Sequence, residues 1–518
     1  MSDFIISPGA TSVNSKFIKS CGIPSAIEKI SPFVLVIFGG AGDLAKRKLL
    51  PSLIHLYLDG ELPENFIILG VDVGEHDDDS FRELIRGAVN VYSETDVSAY
   101  TDKFVKHLCY LSINVKNDNE YKNLHQKLLD IVDNDESDMK NLIYYMAVPP
   151  LLVPVIVERL GFHNLTRGDF YSKIIVEKPF GVDKQSAHKL NLILAGAFDE
   201  DQIFRMDHYL GKETVQNIIF FRFSNSIFEP LWNYRYIENI QITVAEDIGV
   251  EHRGVFYEQA GVVRDIIQNH MMQLIGMIAM EPPSGFEADA IRDEKVKVFR
   301  SIRSLNEEEI RQWVRGQYDK GVIDSENVPA YRKEEMVASD SKMPTFIAAT
   351  LYIDNWRWAG VPFYIRSGKR LKNRTTEIII QFKQPPLRLF GRTCDAVDPN
   401  VLRIKIHPEE EILLNMGIKY PGENNKIFFA DMKFNYRDAF GLESHPAYER
   451  QIIDVMKGDQ TLFARQDGVE AMWDVVDPVI KYWEENPAAD FPNYKSGSWG
   501  PDGSSLMLEK NGHFWHTV

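Results

Sequence analysis

The sequence predicts two joined architectures: a doubly wound α/β domain on a parallel sheet, followed by a larger β+α domain with a mostly antiparallel sheet. Three observations carry this. The N-terminal part alternates strand-like and helix-like runs around a glycine-rich turn. Past Asp207 that alternation weakens, and from Tyr236 onward several strand-like runs follow one another with no obvious crossover helix. At 518 residues the chain is also too long for one ordinary core. The expected divisions are a disordered or extended tail at 1–30, the first domain at 31–206 and the second at 207–518.

Pro32 precedes Phe33–Phe38, an apolar β-branched run bounded by glycines that reads as a buried strand. Gly39–Gly42 form a tight loop, Asp43–Leu58 have helical spacing, and a second strand-like run spans Phe66–Val71 after Pro63. Strand, glycine loop, helix, strand is the opening unit of a doubly wound sheet. Asn141–Ala147 and Lys173–Val176 read as further strands of it. The second domain's strand-like runs are Ile240–Val244, Phe346–Ile353, Val361–Arg366, Glu377–Phe382, Val401–Ile406 and Ile427–Phe434. Helices at Gly261–Met280 and Ala447–Lys457 are expected on one side of that sheet. There is no internal repeat, and the acidic run Asp77–Asp79 reads as solvated loop.

Hydrophobic residues make up 44% and charged residues 26%, the balance of a soluble globular protein. Lys and Arg number 58 against 75 Asp and Glu, and the net charge of −17 argues against nucleic-acid or anionic-membrane partners. Cys21, Cys109 and Cys394 are far apart and form no CxxC pair, which disfavours a disulfide framework or a zinc site and suits a reducing compartment. No stretch approaches the ~18 apolar residues of a membrane span. The first thirty residues lack a basic start followed by an apolar run, so a cytoplasmic location is expected.

Gly39-Gly40-Ala41-Gly42-Asp43-Leu44-Ala45 lies between the first strand and the first helix. Glycines there let backbone amides approach a pyrophosphate, and a helix N-terminus favours its charge. Glycine-rich turns are common, but this placement favours a dinucleotide cofactor. Asp72, at the end of the second strand, reads either as an acceptor for ribose hydroxyls, which favours NAD, or as a surface-turn aspartate.

Three segments concentrate polar chemistry. In Glu177–Gly181, Lys178 stands at the carboxyl end of a strand, where open α/β sheets bind ligands, and Pro179 fixes the backbone beside it; most lysines are nonetheless merely solvated. In Arg205–Glu213, Lys212 opens a helix next to His208, a combination suited to a phosphate. In Arg264–His270, His270 shares a helical stripe with Val263, Ile267 and Leu274. A histidine so placed is ordinarily a satisfied core residue; with a carboxylate partner it becomes a general base.

In order and spacing these segments resemble the glucose-6-phosphate dehydrogenase family, from about Phe33 to Trp499. The marks are Gly39–Lys48, Tyr145–Pro150, Glu177–Gly181, Asp207–Glu213, Arg264–His270, Asp293–Arg300, Asp354–Trp358 and Val361–Leu371. The resemblance implies a Rossmann-type domain and a β+α domain whose sheet forms a dimer interface, giving a homodimer or homotetramer. It implies that His270 takes the proton of the C1 hydroxyl of glucose 6-phosphate, with Asp207 as its partner, while hydride passes to NAD or NADP. His208, Tyr209 and Lys212 would hold the phosphate. Lys178, Glu246, Asp265 and Lys369 would bind the sugar or complete the pocket, and Arg374 matches a further basic position. Gly39, Gly40, Ala41, Gly42, Asp43, Leu44, Lys46, Asp72, Tyr145, Pro149, Lys178 and Pro179 would line the cofactor site. No metal is required, because such an oxidation needs only alignment and proton removal. The other readings are a sister oxidoreductase acting on another sugar phosphate and a non-catalytic nicotinamide sensor.

Two departures from the family pattern bear on the cofactor. NADP-preferring members commonly carry Ser or Thr at the position of Ala41 and Arg after the second strand; here that turn is Gly70-Val71-Asp72-Val73-Gly74. NAD, or dual specificity leaning to NAD, is expected. The basic residues of the additional structural NADP site of some members are replaced by Thr375 and Ile379, so that site is expected to be missing.

Overall fold

β-Branched and aromatic runs become two large sheets in the computed structural model, which describes residues 30–133, 139–168, 170–387, 397–422, 427–441 and 446–516. The reading of the N-terminal tail, and Cys21 and Cys394, lie outside the described residues.

The first sheet uses β1 (Phe33–Phe38), β2 (Phe66–Asp72), β3 (Leu108–Ser112), β4 (Asn141–Met146), β5 (Tyr171–Glu177) and β6 (Ile203–Met206). Their spatial order is β6-β5-β4-β1-β2-β3, all parallel, the doubly wound dinucleotide-binding order. All six β1 side chains are buried, so helices must cover both faces, which explains its continuous apolar run. The order reverses between β1 and β4, opening a crevice above their carboxyl ends.

The second sheet contains β7 (Ile237–Ala245), β8 (Val314–Gly316), β9 (Phe346–Leu351), β10 (Phe363–Gly368), β11 (Thr375–Phe382), β12 (Val401–His407), β13 (Glu411–Lys419) and β14 (Ile427–Asn435). Their order is β14-β13-β12-β11-β7-β10-β9-β8. Only β7–β10 is parallel; the other pairings are antiparallel, as expected for this half. The sequence reading missed β13, whose centre is Asn415-Met416-Gly417 instead of a β-branched run. It also began one strand too early, at Val361: Pro362 has no N–H for the ladder, and β10 starts after it at Phe363.

Beyond β14 the chain returns to the first sheet. Phe463–Ala464 pairs antiparallel with Met206 and Arg205 on β6. The helix Gln466–Glu485 then packs against the helices Lys184–Ala197 and Ala288–Ser301 and against the segment carrying His270. Its Trp473 indole N–H donates to the Phe180 carbonyl at 2.9 Å, fixing the loop that follows β5.

The expected helix Gly261–Met280 is not one continuous α-helix. Gly261 has φ 59° and ψ −179°, a region that essentially only glycine occupies. After it, Val263–Met271 form a π-helix, and Met272–Ala279 resume the α-helix. Except for Arg264, every residue from Val263 to Met271 is buried. The α-helical stripe through Val263, Ile267, His270 and Leu274 therefore does not explain the burial of His270: the i→i+5 turn is wider and the rod is enclosed everywhere but at Arg264. Among the described residues no helix is long and apolar enough to cross a membrane.

Gly261 enters this rod in a conformation an L side chain resists, and a Cβ there would stand 2.5 Å from Met343 Sδ. Gly261→Ala is expected to lower the thermal unfolding midpoint, by an amount corresponding to about 1–3 kcal/mol. An unchanged midpoint in a thermal melt would contradict the strain assigned to this position.

Candidate active site

His270 is where the two halves of the chain meet. It sits 1% exposed on the π-helix, against the segment that leaves β6 at Asp207. Its Nδ1 is hydrogen-bonded to Asp207 Oδ1, and its Nε2 lies 2.8 Å from Lys178 Nζ. An ammonium can only donate, so Nε2 is the acceptor and the proton of the neutral ring is on Nδ1. Lys178 also donates to the Asp265 backbone oxygen at 3.0 Å and to Asp265 Oδ1 at 3.2 Å. Local bonds hold this geometry. Asn269 Oδ1 accepts from the His270 N–H at 2.6 Å, and Asn269 Nδ2 donates to the Arg264 carbonyl at 3.0 Å. Asp207 Oδ1 accepts the Tyr209 N–H at 3.0 Å, and Gln451 Nε2 donates to the Asp207 carbonyl at 2.9 Å.

Aromatic rings wall the imidazole. Tyr209 stacks on it at 4.1 Å and His208 meets it edge-on at 4.6 Å. Tyr448 stacks on the far side of His208, and both Tyr448 and Tyr145 hydrogen-bond Glu177. Lys369 pairs with Glu246 at 2.6 Å and lies 5.3 Å over the Tyr257 ring.

Burial would raise the Asp207 carboxyl, but the charges of His270, His208 and Lys178 outweigh it and hold the group well below the usual carboxylate range. Burial pushes His270 below the usual histidine range; Asp207 opposes this, and Lys178 adds to it. The pair therefore rests as a carboxylate and a neutral imidazole at neutral pH. Asp265 is also held down, to about 2, because Lys178 and Lys369 overcome its burial.

A basic group lies on the Tyr209 side of the site. Lys212 caps the helix Glu213–Phe223 and lies 4.8 Å over the Tyr209 ring. Burial lowers it to about 8, with Glu410 opposing and the exposed Arg374 adding to the shift. His407, at the end of β12, is lowered to about 4 by burial and then by Lys212 and Arg374. Two cations, Lys212 and Arg374, thus crowd beside a histidine they help keep neutral, a place where a dianion relieves the repulsion.

The predicted cofactor residues gather above β1 and β2. Gly39 has φ 83°, and a Cβ on it would fall 2.3 Å from the Ala147 oxygen; at Gly40 it would fall 2.6 Å from Gly70 Cα, and at Gly42 2.9 Å from the Gly39 oxygen. This backbone-lined cradle, with the helix beginning at Asp43 and Leu44, fits a pyrophosphate. Lys46 is on that helix, and Arg47 is tied back to Asp43 at 2.7 Å. Asp72 reaches the loop: its carboxylate accepts the N–H of Val73 at 2.8 Å and of Ala41 at 3.3 Å. Pro149 is exposed above β4, and Pro179 is half-buried beside Lys178. Tyr145 does not present its hydroxyl to this loop, because its buried ring places it 2.5 Å from Glu177 Oε1.

The sequence reading missed Glu177 as a hub, together with Asn269, Tyr448, Gln451, Tyr257 and His407. Glu177 and Asn269 stood inside motifs already singled out. The other four are isolated residues whose proximity comes only from the fold.

Residues 36–217 match the family model described as "Glucose-6-phosphate dehydrogenase, NAD binding domain", and residues 219–516 match "Glucose-6-phosphate dehydrogenase, C-terminal domain". The glucose-6-phosphate 1-dehydrogenase of Aggregatibacter actinomycetemcomitans is 43% identical over 483 residues, covering 93% of this chain and 96% of that one. That of Bacillus subtilis (strain 168) is 42% identical over 487 residues, covering 93% and 98%. A solved glucose-6-phosphate dehydrogenase in complex with its substrate glucose-6-phosphate superposes with a TM-score of 0.86 at 32% identity, covering 94% of this chain and 99% of that one. With both domains matched and Asp207 and His270 brought together between them, this chain belongs to the glucose-6-phosphate dehydrogenase family.

Proposed function

We propose that the chain oxidises glucose 6-phosphate at C1 to 6-phosphoglucono-1,5-lactone, with His270 as the general base. The observation that carries this is the bonding of His270, with Nδ1 on a buried carboxylate and Nε2 directed at Lys178. The C1 hydroxyl takes the place of the Lys178 N–H at Nε2 and donates its proton there while the C1–H bond breaks with its electron pair, and the C1–O bond becomes a carbonyl. Asp207 stabilises the imidazolium so formed. Lys178 keeps its ammonium beside the reacting oxygen by way of Asp265. A nicotinamide bound along the glycine loop supplies the hydride acceptor. Lys212, Arg374 and His407 receive the phosphate together with His208 and Tyr209, and Lys369, Glu246 and Asp265 face the sugar hydroxyls. This convergence of cations in a chain of net charge −17 favours a phosphorylated sugar over a free one.

NAD is the favoured cofactor. A 2′-phosphate near Asp72 meets a carboxylate already fixed against the loop by two amides, and Arg47 is engaged by Asp43. The chain is also proposed to pair as a homodimer through β13 and β14. Ile418 lies opposite Phe428, Leu414 opposite Met432 and Ile412 opposite Phe434. Of these, Ile418, Phe428, Met432 and Phe434 are exposed large apolar side chains, an unusual load for a free sheet surface.

Three outcomes follow. His270→Asn should lower kcat by about 10²- to 10⁴-fold while leaving glucose 6-phosphate binding nearly unchanged; near-normal turnover would refute the role of His270. In paired steady-state kinetics kcat/KM should be at least as high with NAD as with NADP, and a tenfold preference for NADP would overturn the reading of Asp72. Phe428→Asp combined with Met432→Asp should convert dimers to monomers in light scattering, whereas a mass unchanged by both substitutions would place the interface elsewhere.

A further inference from the structure

One turn of the helix Ala447–Lys457 reaches three places at once. Tyr448 stacks on His208, with ring centroids 6.3 Å apart, and hydrogen-bonds Glu177. Gln451 is fully buried, and its Nε2 donates to the Asp207 carbonyl at 2.9 Å and to the Leu462 carbonyl at 3.3 Å. Between them Glu449, only 2% exposed, accepts a hydrogen bond from His55 Nδ1 at 2.8 Å. His55 is the one basic side chain of the helix Leu50–Leu58, which continues the Ala45–Leu49 turn behind the glycine loop. The buried Nε2 of its ring has no hydrogen-bond partner among the described residues, so the bond to Glu449 is the one that orients it. The two helices pack on one another. At its other end the helix Ala447–Lys457 is closed by Gly458, with φ 77°, and by Lys173 of β5, whose Nζ donates to the Val455 and Met456 carbonyls at 2.8 and 3.1 Å.

We propose that Glu449 is a positioning residue for hydride transfer: by engaging His55 it ties the helix that frames Asp207 and His208 to the helix behind the cofactor loop. This rests on the reading of His270 as the base. Hydride passes between two molecules that different elements align, the sugar phosphate by Asp207, His270 and the basic group, the nicotinamide by the glycine loop. A misplacement of about 1 Å between such partners costs about 10²-fold in rate. The connection runs from the glycine loop along Leu50–Leu58 to His55, and across to Glu449. It then passes within one helical turn to Tyr448 and Gln451, which hold His208 and the Asp207 backbone. Apolar packing between two helices has no direction and leaves them free to slide or rotate by small amounts. A hydrogen bond between two side chains at their interface has both a length and an angle, and it fixes one register. The pair therefore acts on alignment, while the apolar contact around it keeps the helices together.

The test compares Glu449→Leu, His55→Leu, the double variant and Glu449→Gln with the wild type. The readout is the rate constant of nicotinamide reduction in a single turnover, with enzyme in saturating excess over glucose 6-phosphate and the cofactor also saturating. A loss of folded protein lowers the amount of active enzyme but leaves that constant where it was. Glu449→Leu and His55→Leu should each lower it about tenfold or more, with the KM values of both substrates nearly unchanged. The double variant should be no slower than the slower single, because the two side chains act as one unit. Glu449→Gln, whose amide oxygen still accepts from His55, should return the constant close to its wild-type value. A constant unmoved in Glu449→Leu overturns the proposal. So do losses that multiply in the double variant, and so does a Glu449→Gln as slow as Glu449→Leu. Should Glu449→Leu fail to fold, His55→Asn, whose amide nitrogen takes the place of Nδ1, is set against His55→Leu: a fast His55→Asn supports the proposal, and equal rates overturn it. His270→Asn measured alongside separates the two claims. Turnover retained there removes the base itself, while an inactive His270→Asn with an unslowed Glu449→Leu removes Glu449 alone.

Discussion

The hydrogen bond between Asp207 and His270 is the constraint on which the rest of the site depends. Both side chains are buried, and a buried carboxylate persists only when paired. Removing one partner of such a pair typically costs about 3–5 kcal/mol, because a charge is left stranded in a poor solvent. The fold has to bring the end of β6 against the π-helix before anything else in the site has a place. Once it does, the proton of the neutral ring is committed to Nδ1, and Nε2 becomes the acceptor directed at Lys178.

The architecture reads as a means of closing that contact around a reacting carbon. The first sheet delivers Lys178 and Asp207 at the carboxyl ends of neighbouring strands, the usual ligand edge of a parallel sheet. The second sheet delivers Glu246 after β7, Lys369 after β10 and His407 at the end of β12. The return of the chain through Phe463–Ala464 and Gln466–Glu485 ties the two sheets together and supplies Trp473, which holds the loop after β5. Charge is then distributed by placement. Asp207 and His270 are left as a carboxylate and a neutral ring, while Lys212 and the exposed Arg374 crowd positive charge beside a His407 that stays neutral.

Much of this was legible in the residues, for physical reasons that differ from element to element. The glycine loop, β1 and β2 read correctly because glycine spacing and a doubly buried strand leave strong local signals. The second sheet was visible as a class, but β13 was not, since Asn415-Met416-Gly417 carries no strand signal and is ordered by its two neighbours. His270 was found with an incomplete reason: an α-helical stripe suggested burial, whereas in the π-helix that follows Gly261 every residue but Arg264 is buried. Tyr448, Gln451 and His407 were beyond reach because their proximity is tertiary, created by a helix and a strand more than 130 residues downstream of His270.

The protonation of one ring, that of His270, is read by nitrogen-15 NMR with labelled histidine in the full chain. The expected result is a neutral imidazole at pH 7, protonated at Nδ1 and bare at Nε2, with a pKa below the usual histidine range. A ring protonated at Nε2, or one that is fully imidazolium at neutral pH, would contradict it.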